Sequence, residues 1–512
     1  MSNATARGWM LGAALGAAAA VAIAACVDER IVYRNTNFTQ PPAAAANFIG
    51  YADEATKQTV CGNCHVERQA QWVGTAHASA WADLQNSGHV SGYCEACHTV
   101  NDLGNSVTDT AVGWRSTRDA RYHDVQCESC HGAGLTHVTS PTITNQPLAT
   151  LAVDTTLTTG CAACHHGAHQ PFEDEWVQSA HAQMPQWKSR AAPQTRTECQ
   201  GCHTGQGALA AWGVRTAYAE AGFAHGDTLQ ITCGVCHDPH DATNPKQLRF
   251  PIDVADIQTN LCMKCHQRGP TLDPSTTAHG PHSPEGPLLL GDAGWFPPNM
   301  NVPGGIDTIV ATHGSSANPG LCATCHVNRF TVTDTATGAF TLQVVGHTFE
   351  AIPCVDAQGG LTTETDCALS QRTFRSCTAS GCHGSENAAR SAFLVAGQRV
   401  DQLTAQLQTQ LNTVLAATPA ETSSTSGVWT TAQGSLFNLR LAERTGSFVH
   451  NPFLVEALLT ASIKQMSSDY GVSADRRIPL DNILQKLVVT RAATASVAQP
   501  SVRPVASTRR DH

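Results

Sequence analysis

The sequence predicts a mainly α-helical fold with little regular secondary structure, in which an array of short helices and long loops precedes a C-terminal helical segment. Three observations support this prediction. The 512 residues include 21 cysteines and 24 histidines, and most of the cysteines fall in one short motif at nearly constant spacing. Only 6% of the residues are aromatic, so the bulk that fills the interior has to come from elsewhere.

Composition excludes several classes of protein. The formal net charge is -10, which argues against a nucleic-acid partner. The chain is far too long for a small disulfide scaffold. After residue 25 no segment approaches the 18 consecutive apolar residues of a membrane-spanning helix. A cytosolic enzyme and a multi-pass membrane protein are therefore poor fits.

The N-terminus predicts export. In residues 1–25, Arg7 precedes an alanine-rich apolar stretch that ends in small residues, the arrangement of a secretory signal. The stretch ends in IAAC, which resembles a bacterial lipoprotein box and implies that Cys26 is lipidated. Because Val27 follows, the resemblance implies an outer-membrane lipoprotein, with residues 26–58 as lipidated cysteine and tether. The alternative is an ordinary signal peptide that leaves Cys26 as a free thiol.

Eight copies of Cys-x-x-Cys-His follow, numbered motif 1 to motif 8 in chain order. This is the pattern of c-type haem attachment, in which two cysteines on one side of a helical turn form thioethers and the next histidine binds the iron as proximal ligand. Zinc sites do not demand a histidine after each second cysteine, and redox-active cysteine pairs do not explain eight copies. The predicted attachment cysteines are Cys61 and Cys64, Cys94 and Cys97, Cys127 and Cys130, Cys161 and Cys164, Cys199 and Cys202, Cys233 and Cys236, Cys262 and Cys265, and Cys322 and Cys325. The predicted proximal ligands are His65, His98, His131, His165, His203, His237, His266 and His326.

The motifs form an array with a duplication inside it. Successive first cysteines are 33, 33, 34, 38, 34 and 29 residues apart up to motif 7, which indicates a repeat architecture. The segment WVGTAHA at 72–78 recurs as WVQSAHA at 176–182, so the first two sets of three motifs are interpreted as a duplicated triplet. The predicted segments are 59–158 (haems 1–3), 159–258 (haems 4–6), 259–386 (haems 7–9 with a small disulfide loop), 387–490 (C-terminal helices) and 491–512 (a disordered tail).

At these motifs the chain resembles the bacterial multihaem c-type cytochromes, including outer-membrane cytochromes of extracellular electron transfer. The resemblance covers roughly residues 55–470. Its specific parts are CESCHGAGLTH (127–137), CGVCHDPH with QLR and LCMKCH (233–266), GHTF (346–349) and VHNPFLVEALL (449–459). The second of these resembles the doubled Cys-x-x-Cys-His unit of that superfamily. The resemblance implies haem c cofactors and electron transfer.

A ninth site and one disulfide account for the last cysteines. Cys377-x4-Cys382-His383, motif 9, resembles the expanded haem sites of some multihaem cytochromes and implies a further proximal histidine. The alternative is that both cysteines form disulfides. Cys354 and Cys367 remain, and after export they are expected to pair with each other. We therefore expect nine haems c, or eight if motif 9 holds none.

The second axial ligands decide between electron carrier and enzyme, because an open iron position can bind a substrate. His77 and His181 end the duplicated segments and are the best candidates; the resemblance implies His137, His240, His347 and His450 as well. Bis-histidine ligation at every haem is expected, which keeps reduction potentials low. Weaker candidates compete for the remaining three places: His123, His225, His279, His282 and His313, with His169 a further candidate.

The predicted function is electron transfer at the outer membrane, on the cell surface or its periplasmic face, in extracellular or anaerobic respiration, with no catalytic residue. Expected partners are other cytochromes or an outer-membrane conduit, a terminal acceptor such as a metal oxide or soluble shuttle, and the membrane itself. Two alternatives stay open. An oxidoreductase acting on a small nitrogen or sulfur compound needs one proximal histidine without a partner, and a self-assembling filament needs a distal histidine that crosses between subunits.

Outside the motifs, three segments carry secondary-structure signals. Residues 270–304, rich in Pro and Gly, are predicted to form a long loop, and the alternation in 331–346 favours a hairpin. Apolar residues between Val400 and Val414 recur at steps of three and four, which predicts an amphipathic helix. Further helices are expected near 428–445 and 452–468, as a cap over the last haems or as a subunit interface.

Overall fold

The computed structural model describes residues 46–150, 159–183, 197–214, 219–221, 229–272, 280–300, 308–334, 336–378, 382–422 and 429–480. The predicted signal peptide, Cys26 and the tail 491–512 lie outside these residues. Within the described part of the chain, no helix is both long enough and apolar enough to cross a bilayer.

The motif-bearing part of the chain consists of short helices joined by loops, as predicted. Its described α-helices have four to seven residues. They are α1 (Val66–Trp72), α2 (Ala80–Asn86), α3 (Gly92–Glu95), α4 (Gly113–Thr117), α5 (Cys127–His131), α6 (Leu135–Thr139), α7 (Phe172–Trp176), α8 (Thr197–His203), α9 (Gly205–Ala211), α10 (Cys233–Cys236), α11 (Glu285–Leu290), α12 (Cys322–His326) and α13 (Arg375–Thr378). Single turns of 3-10 helix lie at Cys61–Asn63, Ala76–Ser79, Ala120–Tyr122, Ile143–Asn145, Cys161–Ala163, Pro245–Gln247, Thr312–Gly314, Leu369–Gln371 and Pro419–Thr422.

The motifs fold as helical turns because of their internal spacing. In motifs 1, 6 and 7 the histidine N–H donates to the carbonyl of the first cysteine, at 2.9, 2.9 and 3.1 Å, and residues four apart share one side of such a turn. The helices then end quickly. α5, for example, stops at Gly132, whose φ of +78° breaks the helix where a side chain would be strained. The motif thus presents its side chains on a single turn.

Two small antiparallel sheets are present in the described residues. β1 (Tyr51–Asp53) pairs with β2 (Gln58–Thr59) just before motif 1. β3 (Phe330–Thr333) pairs with β4 (Phe340–Val344) just after motif 8, with Phe330 opposite Val344. The second sheet confirms the hairpin that the alternating pattern predicts.

The C-terminal part is a helical bundle with an ordinary apolar core. It contains α14 (Glu386–Ala417), α15 (Thr431–Ala442), α16 (Ser447–His450) and α17 (Pro452–Tyr470). The predicted stripe on α14 is buried, and Leu403, Leu407 and Leu411 have no exposed surface. It packs against leucines of α15 and α17, so the apolar periodicity gave the right face of this helix.

The prediction of a loop over 270–304 was wrong in one part. Glu285–Leu290 forms α11, and its buried Leu288 belongs to the core of the C-terminal bundle. The Asn451 side-chain amide donates to the Leu288 carbonyl at 3.0 Å. These are contacts with residues far along the chain, which the local Pro and Gly content does not reveal.

Chain contacts divide the described residues into two compact units. The first comprises the described parts of 1–164 and 219–224 together with 238–247, and it contains a core around Phe48, Val100 and Tyr122. The second comprises the described parts of 165–218, 225–237 and 248–512, including the C-terminal bundle.

Candidate functional site

All 18 predicted attachment cysteines lie outside disulfides. In contrast, a disulfide joins Cys354 to Cys367, with their Cα atoms 6.1 Å apart. Among the described residues, no three His, Cys, Asp or Glu side chains converge as they would around a zinc ion. The chemistry of this donor set therefore fits covalent haem attachment better than a cysteine-rich zinc site.

Several motif histidines are oriented by a hydrogen bond at Nδ1. The Nδ1 atoms of His98, His131 and His326 lie 2.6, 2.8 and 2.7 Å from backbone carbonyl oxygens of Ala80, Pro147 and Phe349. A carbonyl accepts only from a protonated nitrogen, so Nδ1 carries the hydrogen and Nε2 keeps its lone pair. This second interaction is typical of histidines that bind a metal through Nε2.

Seven motif histidines face a histidine from elsewhere in the chain. An imidazole nitrogen lies about 2 Å from a first-row metal that it binds, so two rings on opposite sides of one iron have centres roughly 6 Å apart. The observed ring centres lie 5.9 to 6.5 Å apart. The pairs are His65 with His137, His131 with His240, His266 with His181, His203 with His282, His237 with His347, His383 with His313, and His326 with His450.

Burial keeps three of the facing histidines neutral. It lowers the pKa values of His181, His347 and His450 to about 4 in each case, because an imidazolium loses its hydration in the interior. The neutral ring is the form that binds a metal. The pKa of His266 is raised instead, since its Nδ1 lies 3.3 Å from the Glu285 carboxylate.

Motif 9 resembles the shorter motifs in its geometry. The His383 N–H donates to the Cys377 carbonyl at 3.3 Å, the same bond from histidine to first cysteine that motifs 1, 6 and 7 make. The histidine of motif 9 therefore contacts its first cysteine, as the histidines of those three motifs do. The ring of His383 lies 6.4 Å from that of His313, so both motif 9 and this weaker candidate fit the common pattern.

The remaining candidates have other surroundings. The ring of His123 stacks on Trp81 with centres 4.1 Å apart, and its Nδ1 lies 2.7 Å from Glu54. Burial lowers the pKa of His77, so it too is neutral. His225 and His279 lie outside the described residues. Within the part of the chain that the structure describes, no imidazole ring faces His98 of motif 2.

Cysteines of different motifs adjoin one another within each unit. In the first unit the thiols of Cys61 and Cys127 lie close enough to interact electrostatically, and so do those of Cys97 and Cys164. These contacts join motif 1 to motif 3 and motif 2 to motif 4. Neighbouring motifs in space are therefore not always consecutive in the sequence.

In the second unit, motif 7 has three neighbouring motifs. Its Cys265 contacts Cys202 of motif 5, and its Cys262 contacts Cys322 of motif 8. Cys236 of motif 6 lies close enough to interact electrostatically with both cysteines of motif 7.

Two buried carboxylates were missed by sequence reasoning. Glu128, inside motif 3, accepts backbone N–H groups from Ile49, Gly50 and Gly134 at 2.7 to 3.1 Å. Glu175 on α7 accepts N–H groups from the segment that carries His347. The sequence offers a weak signal for the first, an acidic residue between two attachment cysteines, and none for the second.

Two family models match parts of the chain. The model described as a doubled CXXCH motif matches residues 225–270, and the model of cytochrome c554 and c-prime matches residues 60–132. Both matched regions contain motifs whose geometry is described above.

Individual proteins are similar over longer stretches. Multiheme cytochrome MtrA of Shewanella baltica (strain OS185) is 25% identical over 195 residues, which is 35% of this chain and 54% of the relative. The chain thus spans about half the length of this curated relative. The structure of an undecaheme cytochrome from the S-layer of Carboxydothermus ferrireducens is similar with a TM-score of 0.50 and 17% identity, over 85% of this chain and 71% of that one. At this identity the likeness concerns the fold.

Proposed function

We propose that this bacterial multihaem c-type cytochrome relays electrons through nine haems c at the outer membrane or cell surface. The observation that carries the proposal is the set of facing histidines, whose ring centres lie 5.9 to 6.5 Å apart. An iron held by two histidines has no open position for a substrate, so it exchanges electrons. The haems supply the redox chemistry, while the chain sets their ligands, spacing and surroundings.

We assign the side chains as follows. The 18 motif cysteines form the thioether bonds, and the nine motif histidines bind the irons. The seven facing histidines are second axial ligands. His77 is assigned as a further one, since it occupies the position in the first duplicated segment that His181 occupies in the second. Cys354 and Cys367 form the disulfide.

The N-terminal sequence and the relatives support the proposed location and partners. The export signal and the lipidation of Cys26 place the chain on the outer membrane in this proposal. Its partners are other cytochromes or an outer-membrane conduit, together with a terminal acceptor such as a metal oxide or soluble shuttle. The support comes from the similarity to a multiheme cytochrome and to an S-layer cytochrome.

Two measurements on the purified protein test the proposal. Pyridine-haemochrome absorbance per polypeptide should give nine haems; a value of eight that is unchanged in the variant C377A/C382A would remove motif 9. Electron paramagnetic resonance (EPR) of the oxidised protein should show low-spin signals at the histidine pairs. High-spin signals from several haems would contradict a chain of bis-histidine sites.

A second candidate function rests on His98 in motif 2. Its Nδ1 bonds to Ala80, as expected of an iron ligand, yet among the described residues no second imidazole faces it. The segment just before Cys94 is exposed, and Tyr93 has 85% of its surface accessible. An iron with one open position at this surface would bind a small ligand, which favours the oxidoreductase alternative at this one haem.

Carbon monoxide distinguishes the two candidates. If motif 2 has an open iron position, the reduced protein binds carbon monoxide at one haem per chain and the oxidised protein shows one high-spin signal. The variant C94A/C97A, which removes the attachment cysteines of motif 2, should abolish that binding, whereas H89A, which changes an exposed histidine nearby, should leave it intact. A protein that binds no carbon monoxide would leave electron relay as its function.

A further inference from the structure

A buried carboxylate holds the segment that carries His347. Glu175 lies on α7 and only 4% of its surface is exposed. One carboxylate oxygen accepts the Val345 N–H at 2.8 Å and the other accepts the His347 N–H at 2.7 Å. Glu175 and His347 are 172 residues apart in the sequence, so this is a tertiary contact.

The same contact fixes the orientation of the His347 ring. Nδ1 of His347 lies 3.2 Å from the carbonyl oxygen of Val345, and Val345 is itself bound to Glu175. The carboxylate therefore positions both the histidine backbone and the group to which Nδ1 donates. With Nδ1 engaged, Nε2 is free, and the ring faces His237 of motif 6 at 6.5 Å.

Gly346 and a second contact with α7 also shape the segment around His347. β4 ends at Val344, and His347 comes directly after Gly346, which has a φ of +75°; a side chain at Gly346 would meet the Val327 backbone at 2.6 Å. The chain thus turns sharply there. Phe172, also on α7, packs its ring against that of His347 with centres 4.9 Å apart. The short helix α7 therefore supports the histidine by hydrogen bonds on one side and by ring packing on another.

Burying a carboxylate is costly unless its oxygens accept hydrogen bonds. Burial raises the pKa of Glu175, while the N–H groups of Val345, Gly346 and His347 lower it. A carboxylate accepts two convergent N–H groups, one on each oxygen, whereas an amide would direct its own NH2 group at one of them. The two convergent N–H groups therefore favour a carboxylate over an amide at position 175.

We propose that Glu175 is a positioning residue for the second axial ligand of haem 6, holding His347 where its Nε2 reaches the iron. This inference rests on the proposed function, because it needs a haem at motif 6 with His347 as ligand. Without Glu175, the two N–H groups lose their acceptor and the segment moves away from the iron. One haem of the chain then loses its second ligand and becomes high-spin.

The experiment compares four variants of the full-length, haem-loaded protein: E175A, E175Q, H347A and D174N. D174N is the matched control, since Asp174 is the next residue of α7 and its side chain accepts from Gly167 instead. The readouts are haem content, the high-spin EPR signal and carbon monoxide binding. We expect E175A to keep its haem content, gain a high-spin signal from one haem and bind carbon monoxide there, as H347A does.

E175Q retains one acceptor, so we expect a signal between those of the wild type and E175A. D174N should match the wild type, and the double variant E175A/H347A should show no more high-spin haem than H347A alone. If H347A becomes high-spin while E175A and E175Q stay low-spin, the inference is overturned and the proposed function stands. If H347A stays low-spin, the ligand assignment in the proposed function fails as well.

Discussion

At the scale of single residues, the identity of each second ligand sets the potential of one haem. His450 ends α16, is half-buried, and its ring faces that of His326 with centres 6.1 Å apart. A methionine at this position would still offer the iron a ligand, but sulfur ligation raises the potential. We expect H450M to shift one haem upward in protein-film voltammetry and leave the others in place.

The control for this change is H89M, which introduces the same side chain at an exposed histidine. Its voltammogram should match that of the wild type. An unchanged voltammogram for H450M would show that His450 does not bind an iron.

A second residue-scale prediction concerns pH. Burial raises the pKa of Glu128 from 4.5 to about 7, although three backbone N–H groups donate to it. Because the folded-state pKa lies above the unfolded one, this group stabilises the fold fully below about pH 4.5 and loses that contribution as the pH rises through about 7. The contribution is on the order of 3 kcal/mol.

E128Q removes this titration and should show a smaller fall in Tm between about pH 5 and pH 8 than the wild type does. Other groups titrate in the same range, so the difference between the two proteins is the measured quantity. Equal pH dependence in both would contradict a raised pKa at Glu128. The absolute Tm of E128Q should be lower, since one N–H group loses its carboxylate acceptor.

These residues also show what sequence reasoning reaches at this scale. The attachment motif predicts each proximal ligand, because the histidine directly follows the second cysteine that binds the haem. His282 and His313 were weak candidates although each faces a motif histidine. Which motif histidine each of them faces depends on contacts between distant segments, and the residues next to them in the sequence do not predict those contacts. Glu128 and Glu175 were missed for the same reason, since their partners are backbone N–H groups far along the chain.

At the scale of elements, a helix could be predicted where its own sequence carries the pattern and could not where distant contacts determine its burial. The periodicity of α14 predicted a buried stripe correctly because an amphipathic helix carries its own pattern over many turns. α11 has six residues and includes Pro287, too short for a pattern, and its burial comes from contacts with the C-terminal bundle. The short motif helices were predicted through their motifs and not through periodicity.

The disulfide between Cys354 and Cys367 closes a small loop at the edge of motif 9. Cys354 pairs with Arg372 in an antiparallel bridge, just before α13 and Cys377. Closing a loop of about this size contributes about 3 kcal/mol by restricting the unfolded chain. We expect C354S/C367S to keep all its haems and to unfold at lower denaturant concentration.

Haem content by pyridine haemochrome and denaturation followed by circular dichroism measure these two effects separately. The single variant C354S serves as the comparison, since losing either cysteine opens the loop and should destabilise the fold equally. Loss of a haem in C354S/C367S would show instead that the disulfide is needed to form motif 9.

At the scale of the whole molecule, the motifs in space do not follow their order along the chain. Within the first unit motif 1 adjoins motif 3, and motif 2 adjoins motif 4. Within the second unit motif 7 adjoins motifs 5, 6 and 8. The repeat period predicted an array but not this branching, because a period specifies how often a unit recurs and not which units touch.

The branching predicts unequal effects of ligand changes on electron flow. Methionine in place of His181 should raise the potential at motif 7, and methionine in place of His282 should do the same at motif 5. A rise of roughly 120 mV makes departure of an electron about 100-fold less favourable. An electron trapped at motif 7 lies between three neighbouring motifs, whereas the described residues show one such cysteine contact for motif 5, with motif 7 itself. We therefore expect H181M to slow charge transport through protein films far more than H282M, measured at matched coverage by electrochemical gating. Equal slowing by the two variants, with equal shifts in potential, would show that electrons do not converge on motif 7.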